Sequence, residues 1–309
     1  MSAMRMAGAT SPGRDHSHPR QYQPAKGTHV RVEICVESLA GVRSAARAGA
    51  DRAELCDNLA VGGTTPSIGA VEAAVLAAAE QVEARRLALG PAWSALPEAA
   101  PFGVQVMIRP RGGDFVFDQD ERHAMMADVR RIARLSDELA DYTRPVPTSA
   151  AGRDLPPAVE LGFVIGALTP EGKVDRGLVR LLADTADGAP VTFHKAIDCV
   201  PDIEAAYRSL LGLGVHRVLT SGGIAAKENA LRGAKSLARL VELSRSDAGP
   251  GVIVAGGVRT ENAAELIATT GTDEIHLRCP LPNLPHDVPQ ATDEDEVHRI
   301  AKLVQAIKR

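Results

Sequence analysis

The chain has 309 residues, carries 35 Lys plus Arg against 39 Asp plus Glu for a net charge of −4, and is 45% hydrophobic but only 3% aromatic. The length suits one barrel-sized unit, and the mildly acidic balance without a basic block excludes the footprint of a nucleic-acid binder. No apolar run approaches the ~18 residues of a membrane span and the first thirty residues hold no signal-peptide core, so a cytoplasmic protein with no membrane partner is expected. Residues 1–29 mix Gly, Pro, Ser, Arg and His without periodicity and read as a disordered tail, with 30–309 as the folded domain. His16 and His18 belong to that tail and are read as composition rather than as metal ligands.

From residue 30 onward, short β-branched runs alternate with Ala/Leu/Arg segments of helical period. Strands are predicted at 31–36, 52–56, 103–109, 159–166, 190–195, 216–220, 251–255 and 273–277. Helices are predicted at 39–48, 69–86, 119–139, 176–186, 202–212, 228–244 and 261–269, with Ser67, Asp118, Asp175 and Thr260 as opening caps. Strand and helix in eightfold alternation point to an α/β fold, a single-domain (β/α)8 TIM barrel, with a doubly wound open sheet as the alternative. The Pro-, Ala- and Gly-rich stretches 87–102 and 140–157 read as loop insertions. Ile300, Leu303, Val304 and Ile307 recur at helical spacing, so a terminal helix over 294–308 packs on the body.

Period-two alternation sorts each strand into a face toward the helices and a face toward the barrel axis. Val32, Ile34 and Val36 face outward, leaving Glu33, Cys35 and Glu37; Ala53 and Leu55 leave Arg52, Glu54 and Cys56. Val104, Val106 and Ile108 leave Gln105, Met107 and Arg109, while the fifth strand turns Thr192 and His194 inward and the eighth Glu274 and His276. A barrel interior is ordinarily filled by branched apolar side chains. Ionisable groups there cost several kcal/mol each unless paired, so a set this large marks either a polar core that fixes register or a site.

Glycine-rich turns follow three strands: Arg109-Pro-Arg111-Gly112-Gly113-Asp114, Thr220-Ser221-Gly222-Gly223 and Ala255-Gly256-Gly257. Such turns either serve tight strand-to-helix connections or, with Arg109 and Arg111, cradle an anion on backbone N–H groups and guanidinium forks. Cys35 and Cys56 lie on consecutive strands, both inward and near the same end. Two thiolates so placed suit a soft ion such as Cu(I) or Zn(II), with Met107 on the next strand offering a thioether; buried free cysteine also packs as a small hydrophobe. Cys199 and Cys279 read as core or rim residues.

The runs V-E-I-C-V-E-S (32–38), G-A-D-R-A-E-L-C (49–56), G-G-T-T-P-S-I-G (62–69), M-I-R-P-R-G-G-D-F (107–115), V-T-F-H-K-A-I-D (191–198) and R-V-L-T-S-G-G (217–223) resemble the CutC family of copper-homeostasis proteins. Order and spacing agree over roughly 30–278. The resemblance implies a (β/α)8 barrel, a cytoplasmic location, self-association into a homo-oligomer, and a role in copper tolerance or trafficking. It implies Cu(I) coordination by Cys35 and Cys56, and its pocket positions match Glu33, Glu54, Arg109, His194 and Asp198. Lys195 stands where the family carries arginine, and Leu277-Arg278-Cys279-Pro280 replaces a stretch of small residues, which alters the expected rim.

Two functions follow. In the first, the protein binds copper(I) through Cys35 and Cys56 and buffers it or hands it on. In the second, it is an enzyme of lyase, isomerase or hydrolase type acting on a small anionic molecule at the barrel mouth. There Arg109, Arg111, Gly222, Gly256 and Gly257 would hold the anion, His194 would act as acid/base with Glu33 or Glu54, and Asp198 would assist.

Overall fold

The β-branched runs form strands, and in the computed structural model, which describes residues 29–90, 100–143, 156–282 and 291–307, eight parallel strands close into a barrel in chain order. They are β1 (Arg31–Val36), β2 (Arg52–Leu55), β3 (Phe102–Met107), β4 (Val159–Ile165), β5 (Val191–Phe193), β6 (Arg217–Thr220), β7 (Gly251–Val254) and β8 (Glu274–Leu277). β8 pairs back on β1 with Glu33 opposite His276, so the ring is complete and the open sheet is excluded. The helices are α1 (Leu39–Arg47), α2 (Ile68–Leu89), α3 (Gln119–Glu138), α4 (Ala140–Thr143), α5 (Arg176–Thr185), α6 (Ile203–Ser209), α7 (Ala230–Ser246), α8 (Thr260–Thr270) and α9 (Glu294–Gln305). Alternation of strand and helix places an apolar layer between the barrel and its outer ring, and the Val and Ile of each strand's outward face are buried there.

Local chemistry sets the helix starts. Ser67, Asp118 and Asp175 cap α2, α3 and α5, and Asp118 forms a full capping box with Glu121. Helix α8 begins on its expected cap: Thr260 is its first residue, Arg259 is the N-cap, and the Thr260 hydroxyl donates to Glu296 Oε1 of α9 at 2.5 Å. Ile300 and Val304 of α9 are buried in the core, with Leu303 and Ile307 packed against it.

The tail reading falls on residues outside the described ones except for His29, whose Nε2 lies 3.1 Å from Asp51 Oδ1. His16 and His18 lie outside the described residues. Of the two expected insertions, 91–99 and 144–155 lie outside them as well. The described ends are ordered differently from a plain loop: α2 continues to Leu89, β3 already starts at Phe102, and α4 occupies Ala140–Thr143. Among the described residues no helix is long and apolar enough to cross a membrane.

Candidate metal centre at the barrel mouth

Strand alternation delivers the polar set to the barrel axis. Deepest lies an ion-pair lattice in which Arg52 of β2 donates to Glu33 Oε2 of β1 at 2.7 Å and to Glu274 Oε2 of β8 at 2.5 Å. Arg217 of β6 approaches Glu274 at 3.6 Å and donates to Gln105 Oε1 of β3 at 3.3 Å. Glycines on the same axis make this filling fit. A Cβ on Gly103 would meet Arg52 Cγ at 2.4 Å, and one on Gly162 would meet Gln105 Oε1 at 2.3 Å.

Above the lattice, His276 of β8 bridges the two levels. Its Nδ1 lies 2.9 Å from Glu33 Oε1 and its Nε2 lies 3.7 Å from Glu54 Oε2. Burial alone would raise the Glu33 carboxyl, but the Arg52 guanidinium and His276 overcome it and hold the group down at about 2. Burial opposes charge on His276, yet Glu54, the Cys35 sulfur and Glu33 hold its imidazolium well above the ordinary histidine range. Burial pushes the Glu54 carboxyl well above the usual carboxylate range, reinforced by the Cys35 sulfur.

The thiols cap this column. Cys35, Glu54 and Cys56 are buried, and one donor atom from each lies within 4.8 Å of the others. The Cys56 Sγ lies 3.6 Å from Glu54 Oε2. Cys56 hydrogen-bonds the Cys35 sulfur and His276 adds a second contact, so Cys35 is drawn well below the usual thiol range while Cys56 is pushed above it. The register Leu55 opposite Val106 carries on to put Cys56 beside Met107, and Cys35, Cys56, Met107 and Val164 form one buried cluster under Leu59. Three sulfurs therefore meet at the carboxyl ends of three consecutive strands, where barrels place their sites.

The other expected site residues lie around this cluster in different roles. Arg109 donates to the carbonyl oxygens of Val61, Gly63 and Gly113 at 3.1, 3.2 and 2.6 Å, so it ties two loops together at the mouth. Arg111 turns away onto Glu121, Asp114 and the Val116 carbonyl. Asp198 accepts from the Thr220 and Ser221 hydroxyls and the Ser221 and Gly223 N–H groups, which fixes the turn after β6. Gly222 and Gly256 have φ of +100° and +93°, and their Cα faces press on α7 and the backbone before it: added Cβ atoms would meet Gly233 O at 2.7 Å and Glu228 O at 2.6 Å. Gly257, at φ +65°, shares that turn.

His194 is buried with its ring centroid 5.0 Å from that of Phe115. Burial, with Arg109 adding to it, drives its imidazolium down to about 3, so the ring is neutral at ordinary pH. Nδ1 accepts from the Ala196 N–H at 3.1 Å, which leaves the proton on Nε2, an atom with no partner among the described residues. In this tautomer the neutral ring offers its Nε2–H as a hydrogen-bond donor, while its acceptor nitrogen is taken by the Ala196 N–H.

His276, Arg52, Glu274 and Arg217 were not among the expected site residues. The alternation that exposed Glu33 and Cys35 also turned Arg52, His276 and Glu274 inward. What it left out was the pairing, since strand register around a closed ring is a three-dimensional fact. Arg217 carried the same signal in the pattern Arg217-Val218-Leu219-Thr220 of β6.

Together these features define a (β/α)8-barrel protein whose interior is an ion-pair lattice crowned by a buried sulfur cluster. The chain belongs to the CutC family, whose model matches residues 30–138 and 150–280. It is 39% identical over 251 residues to a CutC family protein of Agrobacterium fabrum, covering 80% of this chain and 78% of that one. It is 35% identical over 245 residues to a human copper homeostasis protein cutC homolog, covering 79% and 71%. The solved CutC structure from Streptococcus agalactiae superposes with a TM-score of 0.59 at 30% identity, covering 80% of this chain and 97% of that one.

Proposed function

We propose that this protein binds copper(I) as cargo at Cys35 and Cys56 and serves copper homeostasis by buffering the ion or handing it on. The observation that carries the reading is the convergence of buried Cys35 and Cys56, with Glu54, inside 4.8 Å at the mouth end of the barrel. Thiolate and thioether are the soft donors that favour Cu(I), and the Met107 sulfur, packed in the same cluster, supplies a third. With a metal–sulfur bond of ~2.3 Å, the sulfurs of a trigonal site stand ~4 Å apart and those of a linear site ~4.6 Å, and both fit this spacing. A relative named for copper homeostasis supports the same reading.

Copper is preferred to the enzyme alternative because the arginines that would hold a small anion are engaged elsewhere: Arg109 by carbonyl oxygens of the chain and Arg111 by Glu121 and Asp114. The test is Cu(I) uptake under anaerobic, reducing conditions by the wild type and by Cys35→Ser with Cys56→Ser. The wild type retains copper through desalting and the double variant loses most of it; equal retention by the two would overturn the reading.

A further inference from the structure

Cys35 is 8% and Cys56 1% exposed, so the sulfurs that take an ion are closed to anything arriving from solvent. The cleft that reaches Cys35 past Glu37 and Leu59 holds little more than a water, too little for an ion still carried by a donor. The strands that bear the sulfurs wall the cluster and the ion-pair lattice lies beneath it, and neither shifts without breaking the barrel ladder. What roofs the cluster is the connection that follows β2, residues 57–64, with the 3-10 turn Leu59–Val61 at its centre. Leu59 packs on the sulfurs, and Gly63 lies so close that a Cβ there would meet Cys56 Sγ at 3.1 Å.

This connection is built to move as one piece. Asp57 and Thr64 close its base through two backbone hydrogen bonds of 2.9 and 2.7 Å. Inside it the N–H groups of Val61 and Gly63 reach Asn58 O at 3.2 Å and that of Gly62 reaches Leu59 O at 3.1 Å, so these groups stay satisfied whether or not the segment is seated. Asn58, at φ +45°, and Gly62 and Gly63, both at φ +89°, bend the chain at either side of the turn. Asn58, Ala60 and Val61 turn their side chains to solvent. Among the described residues, the ties that seat the segment are the Leu59 side chain, the Leu59 N–H on Glu37 Oε1 at 2.6 Å, and Arg109 Nη1 on the Val61 and Gly63 carbonyl oxygens at 3.1 and 3.2 Å. A segment with one inward apolar side chain and few ties opens at far lower cost than the barrel that carries it.

We infer that residues 57–64 are a lid over the sulfur cluster, latched by Glu37 and Arg109, and that Cu(I) enters and leaves the Cys35–Cys56 site while this lid is raised. The inference rests on the copper reading and names its control. Glu37 and Arg109 are positioning residues here: they hold the lid and supply no ligand. Arg109 thereby gains a role at the mouth that needs no bound anion.

The experiment measures the modification of each cysteine in the metal-free full chain by methyl methanethiosulfonate, resolved by peptide mass mapping, at a series of low urea concentrations. Raising the lid exposes little surface, so the Cys56 rate is flat in low urea, whereas access through global unfolding climbs steeply with denaturant. Loss of one charge-assisted latch in Glu37→Ala raises the Cys56 rate by at least about tenfold, and Glu37→Gln, which keeps the acceptor, raises it less. Exposed Cys199 is modified at the same rate in all three proteins. In a second arm the copper-loaded protein passes Cu(I) to bathocuproine disulfonate, and Glu37→Ala quickens this transfer by a similar factor. A wild-type Cys56 rate that climbs with urea from the start, a Glu37→Ala rate equal to that of the wild type, or a Cys199 rate that rises in step overturns the lid. Modification that quickens while copper transfer does not overturns its control of the ion. A wild type that holds no Cu(I) sinks the copper reading, and the modification rates then judge the lid by themselves.

Discussion

Glu33 shows how a single buried carboxylate ties fold to site. It is fully buried and touches both Arg52, which Glu274 also meets, and His276, so its charge is shared between two buried cations. Glu33→Gln preserves the shape and removes the charge, and breaking a buried pair in this way destabilises by about 3–5 kcal/mol, measured by denaturant unfolding. Linkage gives the pH signature. The folded carboxyl sits at about 2 against 4.5 in the free group, so its contribution is complete above pH 4.5 and is lost as the pH falls toward 2. That contribution is of order 3 kcal/mol. Wild-type stability therefore falls steeply between pH 4.5 and 2, and the Glu33→Gln variant has a flatter acid limb; an unchanged slope would show that Glu33 is not the titrating group. His276 runs in the opposite direction. Its raised value means that its contribution is complete below the ordinary histidine range and is lost only as the pH climbs past its folded value.

Individual elements were legible in the sequence where periodicity decides them. All eight strands lie where the β-branched alternation placed them, with ends that differ by at most two residues; in β2, β3, β4, β5 and β7 the last residues of the expected run leave the ladder toward the mouth. His194 shows this: it was expected inside the fifth strand, yet β5 ends at Phe193 and His194 opens the 3-10 turn Lys195–Cys199. Its ring lies over Gly166, just past the end of β4, a contact that no spacing rule contains. The sulfur pair was visible because both cysteines fall on inward positions of consecutive strands. The Arg109 and Asp198 loop clamps were not, because a polar residue in a Gly-rich turn looks alike whether it faces a ligand or the chain's own backbone. Gly166 tests this packing. A Cβ there would stand 2.1 Å from His194 Cε1, so Gly166→Ala displaces the imidazole and lowers stability by about 1–3 kcal/mol. Gly69, exposed in the first turn of α2 with nothing within 4 Å of an added Cβ, is its counterpart: Gly69→Ala is neutral or stabilising by up to about 1 kcal/mol. Chemical denaturation of the two variants compares them directly, and an equal effect would remove the special role given to the glycine beneath His194.

At the scale of the whole molecule, closure of the barrel decides what the two thiols can do. The β1–β2 register sets Cys35 opposite Glu54, which puts Cys56 two residues further along the neighbouring strand. Diagonal positions of this kind hold their Cα atoms ~7–8 Å apart. Disulfides need less, usually 4.4–6.8 Å, together with converging Cβ vectors. In an open sheet an edge strand could slide to close the gap, but here β1 is held on both sides, by β2 and by β8, so a shift would break the ring and tear Glu33 from Arg52 and His276. The sulfurs are thus near enough to share an ion and too far apart along the backbone to join. The native protein treated with a mild thiol oxidant such as diamide should show no Cys35–Cys56 cross-link by peptide mass mapping, whereas the same treatment after denaturation should link cysteines freely. A cross-link formed at native-state rates without loss of barrel structure would mean that the strands slide, and the site would then be a redox pair rather than a clamp for a soft ion.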